Sequence, residues 1–254
     1  MKNYTTFMKK EFFEGIKNYK LLVLAAVFML LGIMNPLFAK FTPEILALAI
    51  PEGMSIELPI PSAFDSWMQF FGNMTQIGML IIVIVFGGIV NSEISRGTLI
   101  NLLTKGLSRT AVILAKYTYI AVMWTLCTVI CFLLTWGYTA YFFPGEGVPN
   151  LFISVLMLWL FGVFLMALVL FASTITRKSF AGLLFTGGIM VVGGILNIFN
   201  SIRNYNPMSL AADNIAVIQG LKEVSALYPA GIICIMLTAL LIAVSVMLFR
   251  KKQI

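Results

Sequence analysis

Residues 91–116 read Asn91-Ser-Glu-Ile-Ser-Arg-Gly-Thr-Leu-Ile-Asn-Leu-Leu-Thr-Lys-Gly-Leu-Ser-Arg-Thr-Ala-Val-Ile-Leu-Ala-Lys116. The chain on either side is apolar. This stretch holds Glu93, Arg96, Lys105, Arg109 and Lys116, the densest run of charge outside the N-terminal arm. It is too polar to span a bilayer and too patterned for a slack loop. Leu99, Leu102 and Leu103 fall at i, i+3 and i+4, on one side of a short helix. Gly106 stops that helix, and Ser108 is placed to cap the next one. A short capped helix with one apolar face and basic flanks suits the docking of a soluble partner at a membrane surface.

Outward from this stretch, composition sets the class. The chain has 254 residues, 60% hydrophobic and 11% charged. A soluble domain carries about 25% charged residues, so the deficit predicts an all-α polytopic membrane protein. A hydrocarbon core about 30 Å thick needs about 20 apolar residues per helix, and the chain has room for six such spans. The net charge of +7 does not indicate nucleic acid, because the basic residues flank apolar runs instead of covering a folded surface. Histidine is absent, which removes the commonest metal ligand and general base. Cys127, Cys131 and Cys234 lie inside apolar runs and read as small buried hydrophobes.

In chain order, residues 1–20 carry Lys2, Lys9, Lys10, Lys17 and Lys20. Tyr4, Met8, Phe12, Ile16 and Tyr19 cluster on one side of a helical wheel, with Lys10, Glu11, Glu14 and Lys17 largely opposite. This predicts an interfacial amphipathic helix rather than a solvated basic tail. The spans are predicted at about Leu21–Ala39, Trp67–Val90, Tyr117–Phe143, Leu151–Ile175, Phe180–Phe199 and Tyr228–Phe249. Between the first two, Pro43, Pro51, Pro59 and Pro61 predict an external loop over 40–65, since closely spaced prolines oppose a long helix. Gly187 and Gly194 stand one heptad apart in the fifth span, leaving a face that another helix can approach. Residues 200–228 mix Arg203, Asn206, Asp213 and Lys222 with apolar side chains, a pattern for short re-entrant or interfacial helices. The second unit is therefore a six-span domain over 21–254.

Placing both termini in the cytosol puts fourteen of the seventeen Lys and Arg residues inside and only Lys40, Arg203 and Lys222 outside. That asymmetry predicts a multi-pass protein of the cell membrane with both termini cytosolic.

No charged residue falls within any span as drawn. Each would cost about 2.5–3.5 kcal/mol at mid-bilayer, a cost accepted for ion relays. Their absence argues against proton-coupled carriers and voltage sensors. There is no His-Glu-x-x-His and no pair of intramembrane aspartates for a protease, and no Gly-x-x-x-x-Gly-Lys-[Ser/Thr] loop for ATP. The chain is predicted not to be an enzyme.

The run Glu93-Ile-Ser-Arg-Gly-Thr-Leu-Ile-Asn-Leu-Leu-Thr-Lys-Gly-Leu-Ser-Arg109, followed by Lys116, resembles the signature of type-2 ABC exporter membrane subunits: an acidic residue, Gly-Thr, two leucines, Ser-Arg and a lysine. The family pattern often has a proline where Lys105-Gly106-Leu107 stands. The resemblance covers essentially the whole length: an amphipathic connecting helix, six spans, a coupling helix between the second and third, and re-entrant elements before the sixth.

The resemblance implies the type-2 ABC exporter fold and a permease for lipophilic or amphipathic cargo such as a peptide, antibiotic or lipid. The partners would be a P-loop ATP-binding subunit, a second permease copy or sister permease, and the bilayer. ATP and Mg would sit in the ATPase, with no cofactor in this chain. Glu93, Arg96, Gly97, Thr98, Leu99, Leu102, Leu103, Lys105, Ser108 and Arg109 would form the ATPase dock. The leucines would bury in its groove and the charges would lie at its rim. Gln69, Asn73, Gln76, Thr186 and Asn197 are candidate lining residues of a translocation path between the second and fifth spans. The competing reading of these five is interhelical hydrogen bonding inside one subunit. A non-pumping immunity or sensor subunit, or a six-span secondary carrier, are the alternative functions.

Overall fold

The computed structural model describes residues 2–49, 60–104 and 106–252. Its elements are helices, with no strand among the described residues, and six of them are long and apolar enough to cross a membrane. Helix α1 covers Lys2–Lys17 and turns through Tyr19, which has a positive φ of 56°, into α2, Lys20–Ala49. The second span is composite: α3 over Ala63–Asn73, a π-helical turn over Met74–Gly78, and α4 over Met79–Phe86. Short helices α5, Asn91–Ser95, and α6, Thr98–Thr104, follow. The remaining spans are α7, Arg109–Phe142, α8, Leu151–Ile175, α9, Ser179–Leu196, and α13, Tyr228–Lys251. Between the last two lie α10, Asn200–Arg203, α11, Ser209–Ala212, and α12, Asn214–Ile218.

Local signals account for several boundaries. Ser108 accepts from the Ala111 N–H at 3.1 Å and caps α7. Gly106, with φ +89°, takes the left-handed conformation just past α6 that a side chain would oppose. The Asp65 carboxylate accepts from the Ser62 N–H at 2.9 Å and closes the start of α3. Glu146, in the turn after α7, accepts from the Ala63 N–H at 2.7 Å and ties that start to the turn.

Residues 40–49 of the predicted loop are helical instead, because α2 runs through Pro36 and Pro43 to Ala49. A proline removes the hydrogen bond to the carbonyl four residues back. For Pro36 that carbonyl belongs to Gly32, and it accepts instead from the Thr135 hydroxyl of α7 at 3.1 Å. The same node holds buried Asn35, whose amide donates to Thr135 Oγ1 at 3.0 Å. Pro51, Pro59, Glu52 and Glu57 of the predicted loop lie outside the described residues.

Helix α8 is the axis of the domain, with two-thirds (67%) of its apolar window buried. It packs against α7, α9 and α13, and against α4, α11 and α12. The α7–α8 crossing is locked by two indoles: Trp124 Nε1 donates to the Trp159 carbonyl, and Trp159 Nε1 to Thr125 Oγ1, both at 3.0 Å. Residues 200–227 are an ordered cap. Its centre is Asp213, fully buried and paired with Arg203 and with Lys222 at 2.7 Å. Arg109 contacts Lys252, and Lys116, two turns further along the same helix, contacts Glu11. Helix α1 and the end of α13 therefore share one face, here called the terminal face.

Candidate functional site

The site is a charge cluster on the terminal face, where α1, α5 and α7 meet. Tyr4, Phe7, Met8 and Phe12 of α1 pack on the core, and the Tyr4 hydroxyl donates to Thr118 Oγ1 of α7 at 2.9 Å. The Phe12 ring meets Tyr119 edge-on at 5.1 Å. Of the stripe predicted to dip into lipid, Tyr4, Met8 and Phe12 thus pack inward, while Ile16 and Tyr19, with Phe13 beside them, face outward. On a 3.6-residue helix Glu11 lies one turn from Phe7 and Met8 on that inward side, so it is buried with the apolar stripe and not opposite it as predicted.

Glu11 meets Lys116 Nζ at 3.1 Å. Lys116 also reaches Glu93 at 3.0 Å. Lys10 joins Glu11, Glu14 and Glu93 at 3.2, 2.6 and 2.8 Å. Three carboxylates thus share two ammoniums across three elements. Burial works against the Lys10 charge, but Glu11, Glu14 and Glu93 outweigh it and hold its ammonium above the ordinary lysine range. The carboxylates lie within 4.8 Å of one another. A cation there would compete with Lys10 and Lys116, so the arrangement is an ionic latch and not a metal centre. Lys116 is 1% exposed. The sequence reading left it at the mouth of a charge-free span; α7 begins earlier, at Arg109, and carries it inside.

The root of the 91–104 segment is also fixed to α8. The Ser173 hydroxyl accepts from the backbone N–H groups of Val90 and Asn91 at 2.9 and 3.2 Å. Asn91 donates to Thr176 Oγ1 and accepts from Ser179 Oγ, each at 3.1 Å. Gly88 permits this approach, since a Cβ there would lie 2.3 Å from Ser179 Oγ.

The predicted docking residues separate into groups. Leu99 is 0% exposed and belongs to the core of its own chain, and Leu103 packs partly against that core. Glu93, 9% exposed, belongs to the latch. These three are therefore not a free apolar face with a charged rim, because Leu99 and Leu103 turn toward the core of their own chain. Arg109 donates to the carbonyls of Phe249, Arg250 and Lys252 and closes the end of α13. Arg96 and Thr98 are exposed, and Gly97 sits between them with φ +71°. Ser108 is an exposed cap residue. Lys105 and the Leu102 side chain lie outside the described set.

The predicted path residues separate as well. Gln76 and Thr186 line one cleft of about 300 Å3 between the second span and α9, with Thr75, Met79, Leu183 and Met190. Asn73 is tied within the chain, donating to Asn35 Oδ1 at 2.8 Å. Gln69 is exposed further along α3, and Asn197 lies half-buried at the end of α9. Sequence reasoning missed Lys10, Glu11 and Asn35 as functional groups. Only Lys116 had a signal, its place at the end of the signature run.

Residues 13–197 match the profile described as ABC-2 family transporter protein. The chain belongs to the ABC-2 transporter family. The match starts in α1 and ends at the close of α9, so it takes in Glu14, Glu93 and Lys116 together with the first five spans. This ABC-2 chain is also 25% identical over 180 residues to an uncharacterized transmembrane protein, YxlG, of Bacillus subtilis (strain 168), covering 70% of each. Membership makes the chain a multi-pass membrane permease component, not itself catalytic, of a family that works with ATP-binding subunits.

Proposed function

We propose that this chain is the membrane subunit of an ATP-driven exporter and that its terminal face is cytosolic. A separate P-loop subunit binds ATP and Mg and rests on the segment from Arg96 to Thr104. Two membrane subunits, identical or sister chains, enclose the path between their second and fifth spans. The observation that carries this reading is Glu93. It stands at the root of the docking segment and is ion-paired at once to α1 through Lys10 and to α7 through Lys116. A partner that shifts α5 and α6 therefore pulls on two further helices, without any new contact being formed in the membrane. The cleft beside Gln76 and Thr186 is largely apolar, which supports lipophilic or amphipathic cargo.

The test uses the exposed positions. Tagged chain is extracted from its native membrane in mild detergent and its companions are identified. Wild type is expected to bring a stoichiometric P-loop ATPase, and Arg96→Glu with Thr98→Asp is expected to lose it while still inserting in the membrane. If wild type emerges with no ATPase, or if the double variant keeps it, the docking assignment is wrong.

A further inference from the structure

A second charged site lies on the terminal face, away from the latch. Arg177 and Lys178 form the link between α8 and α9, and both are exposed. Lys252, just past α13, donates to the Thr174 carbonyl at 2.7 Å, which seats the end of α13 beside the end of α8. Arg250 Nε donates to Thr110 Oγ1 at 3.0 Å, and Arg109 donates to the carbonyl of Arg250, also at 3.0 Å. Three stretches distant in sequence thus bring Arg109, Arg177, Lys178, Arg250, Lys251 and Lys252 to one corner.

Two ordinary causes explain part of this. Helix C-termini attract cations, and cytosolic loops of membrane proteins are rich in them. Neither requires loops distant in sequence to converge, nor leaves the corner without a counter-charge. Among the described residues no ion pair reaches any of these six cations; Glu11, Glu14 and Glu93 are spent on Lys10 and Lys116. Burial and the neighbouring Arg177 hold the Lys252 ammonium below its ordinary value, as expected beside uncompensated positive charge.

The flank of the corner selects the ligand. Ile175, Phe180 and Leu248 are exposed apolar side chains adjoining Arg177, Lys178 and Arg250 in the chain. A soluble acidic protein would meet the cations alone. A lipid meets both, with its phosphate among the cations and its chains along the apolar flank. We propose that this corner binds an anionic phospholipid, with the phosphate held by Arg177, Lys178 and Lys252 and the acyl chains lying along Ile175, Phe180 and Leu248. The bound headgroup then joins the ends of α8 and α13 to the start of α9.

The test is native mass spectrometry of the full chain in detergent, titrated with dioleoyl phosphatidylglycerol or dioleoyl phosphatidylcholine. Wild type is expected to retain phosphatidylglycerol in preference. Arg177→Gln with Lys178→Gln and Lys252→Gln is expected to weaken that retention about tenfold or more, and Lys9→Gln, an exposed cation on α1, to leave it unchanged. If the triple variant does not fold, the exposed single change Arg177→Gln carries the test, with about a threefold loss expected. Equal retention of the two lipids, or undiminished retention in the variants, overturns the proposal. So does displacement of the lipid by inorganic phosphate at matched concentration, which would mark a free-anion site. Loss of the lipid only when a copurified acidic protein occupies the corner would likewise assign it to that protein.

Discussion

Glu11 and Lys116, 105 residues apart in the chain, meet at 3.1 Å with both side chains shut away from solvent. Such a pair is informative because of its cost. Two desolvated charges gain little over well-packed apolar groups, but removing one partner strands the other. Here Lys116 serves both Glu11 and Glu93, so its loss would leave two buried carboxylates leaning on Lys10.

Lys116→Gln should therefore destabilise the purified protein by about 3 kcal/mol, read as a lowered melting midpoint in detergent. Glu11→Gln combined with Lys116→Gln should cost less than the sum of the two single changes, since each removes the other's burden. Strict additivity would show that the two do not interact.

Lys10 sets the alkaline limit of the same latch. Its folded-state value is raised above the ordinary 10.5. The stability it contributes is then fully present below pH 10.5 and lost only as pH climbs through the higher folded value. Protection of α1 from hydrogen exchange should be flat from pH 7 to about pH 10, after correction for intrinsic rates. Lys10→Gln should lower that protection at pH 7, and loss of wild-type protection already below pH 9 would contradict the ion-pair assignment.

Gly162 is the packing constraint at the centre of the fold. A Cβ there would stand 2.1 Å from the ring of Trp124, which is fully buried and hydrogen-bonded to Trp159. The indole has no free end to swing aside. Gly162→Ala should cost about 1–3 kcal/mol and shift the tryptophan emission. An unchanged melting temperature and spectrum would place the two helices further apart.

The proposed pairing of permease subunits predicts a contact along α9. This is the least covered span, with 11% of its window buried, and Val191 lies on its open side. With Cys127, Cys131 and Cys234 replaced by alanine, Val191→Cys should form a disulfide between two copies in native membranes. Leu133→Cys, exposed on α7, should not. The reverse pattern would move the contact to α7.

Much of the fold was legible without coordinates. The predicted Leu151–Ile175 helix matches α8 residue for residue, because a long apolar run bounded by a Pro-Gly turn and a Thr-Arg-Lys-Ser link leaves little choice. Ser108 and Gly106 acted as their chemistry dictates. The path residues were half legible: amide and hydroxyl groups in a span mark polar sites, but only packing shows that Asn73 turns to Asn35 while Gln76 and Thr186 share a cleft.

By itself the sequence determined the class of molecule, because span length, hydropathy and the placement of charge are sums over neighbouring residues. Tertiary structure alone decided which side of each helix is covered. In a bilayer the lipid is as apolar as the protein core, so hydropathy cannot say whether Leu99 meets a partner, lipid or its own domain. Nor can a local pattern reveal that Thr135 replaces the hydrogen bond lost at Pro36, or that Glu11 faces Lys116. Those pairings join helices far apart in the chain, and they exist only once α2 and α1 have settled against α7.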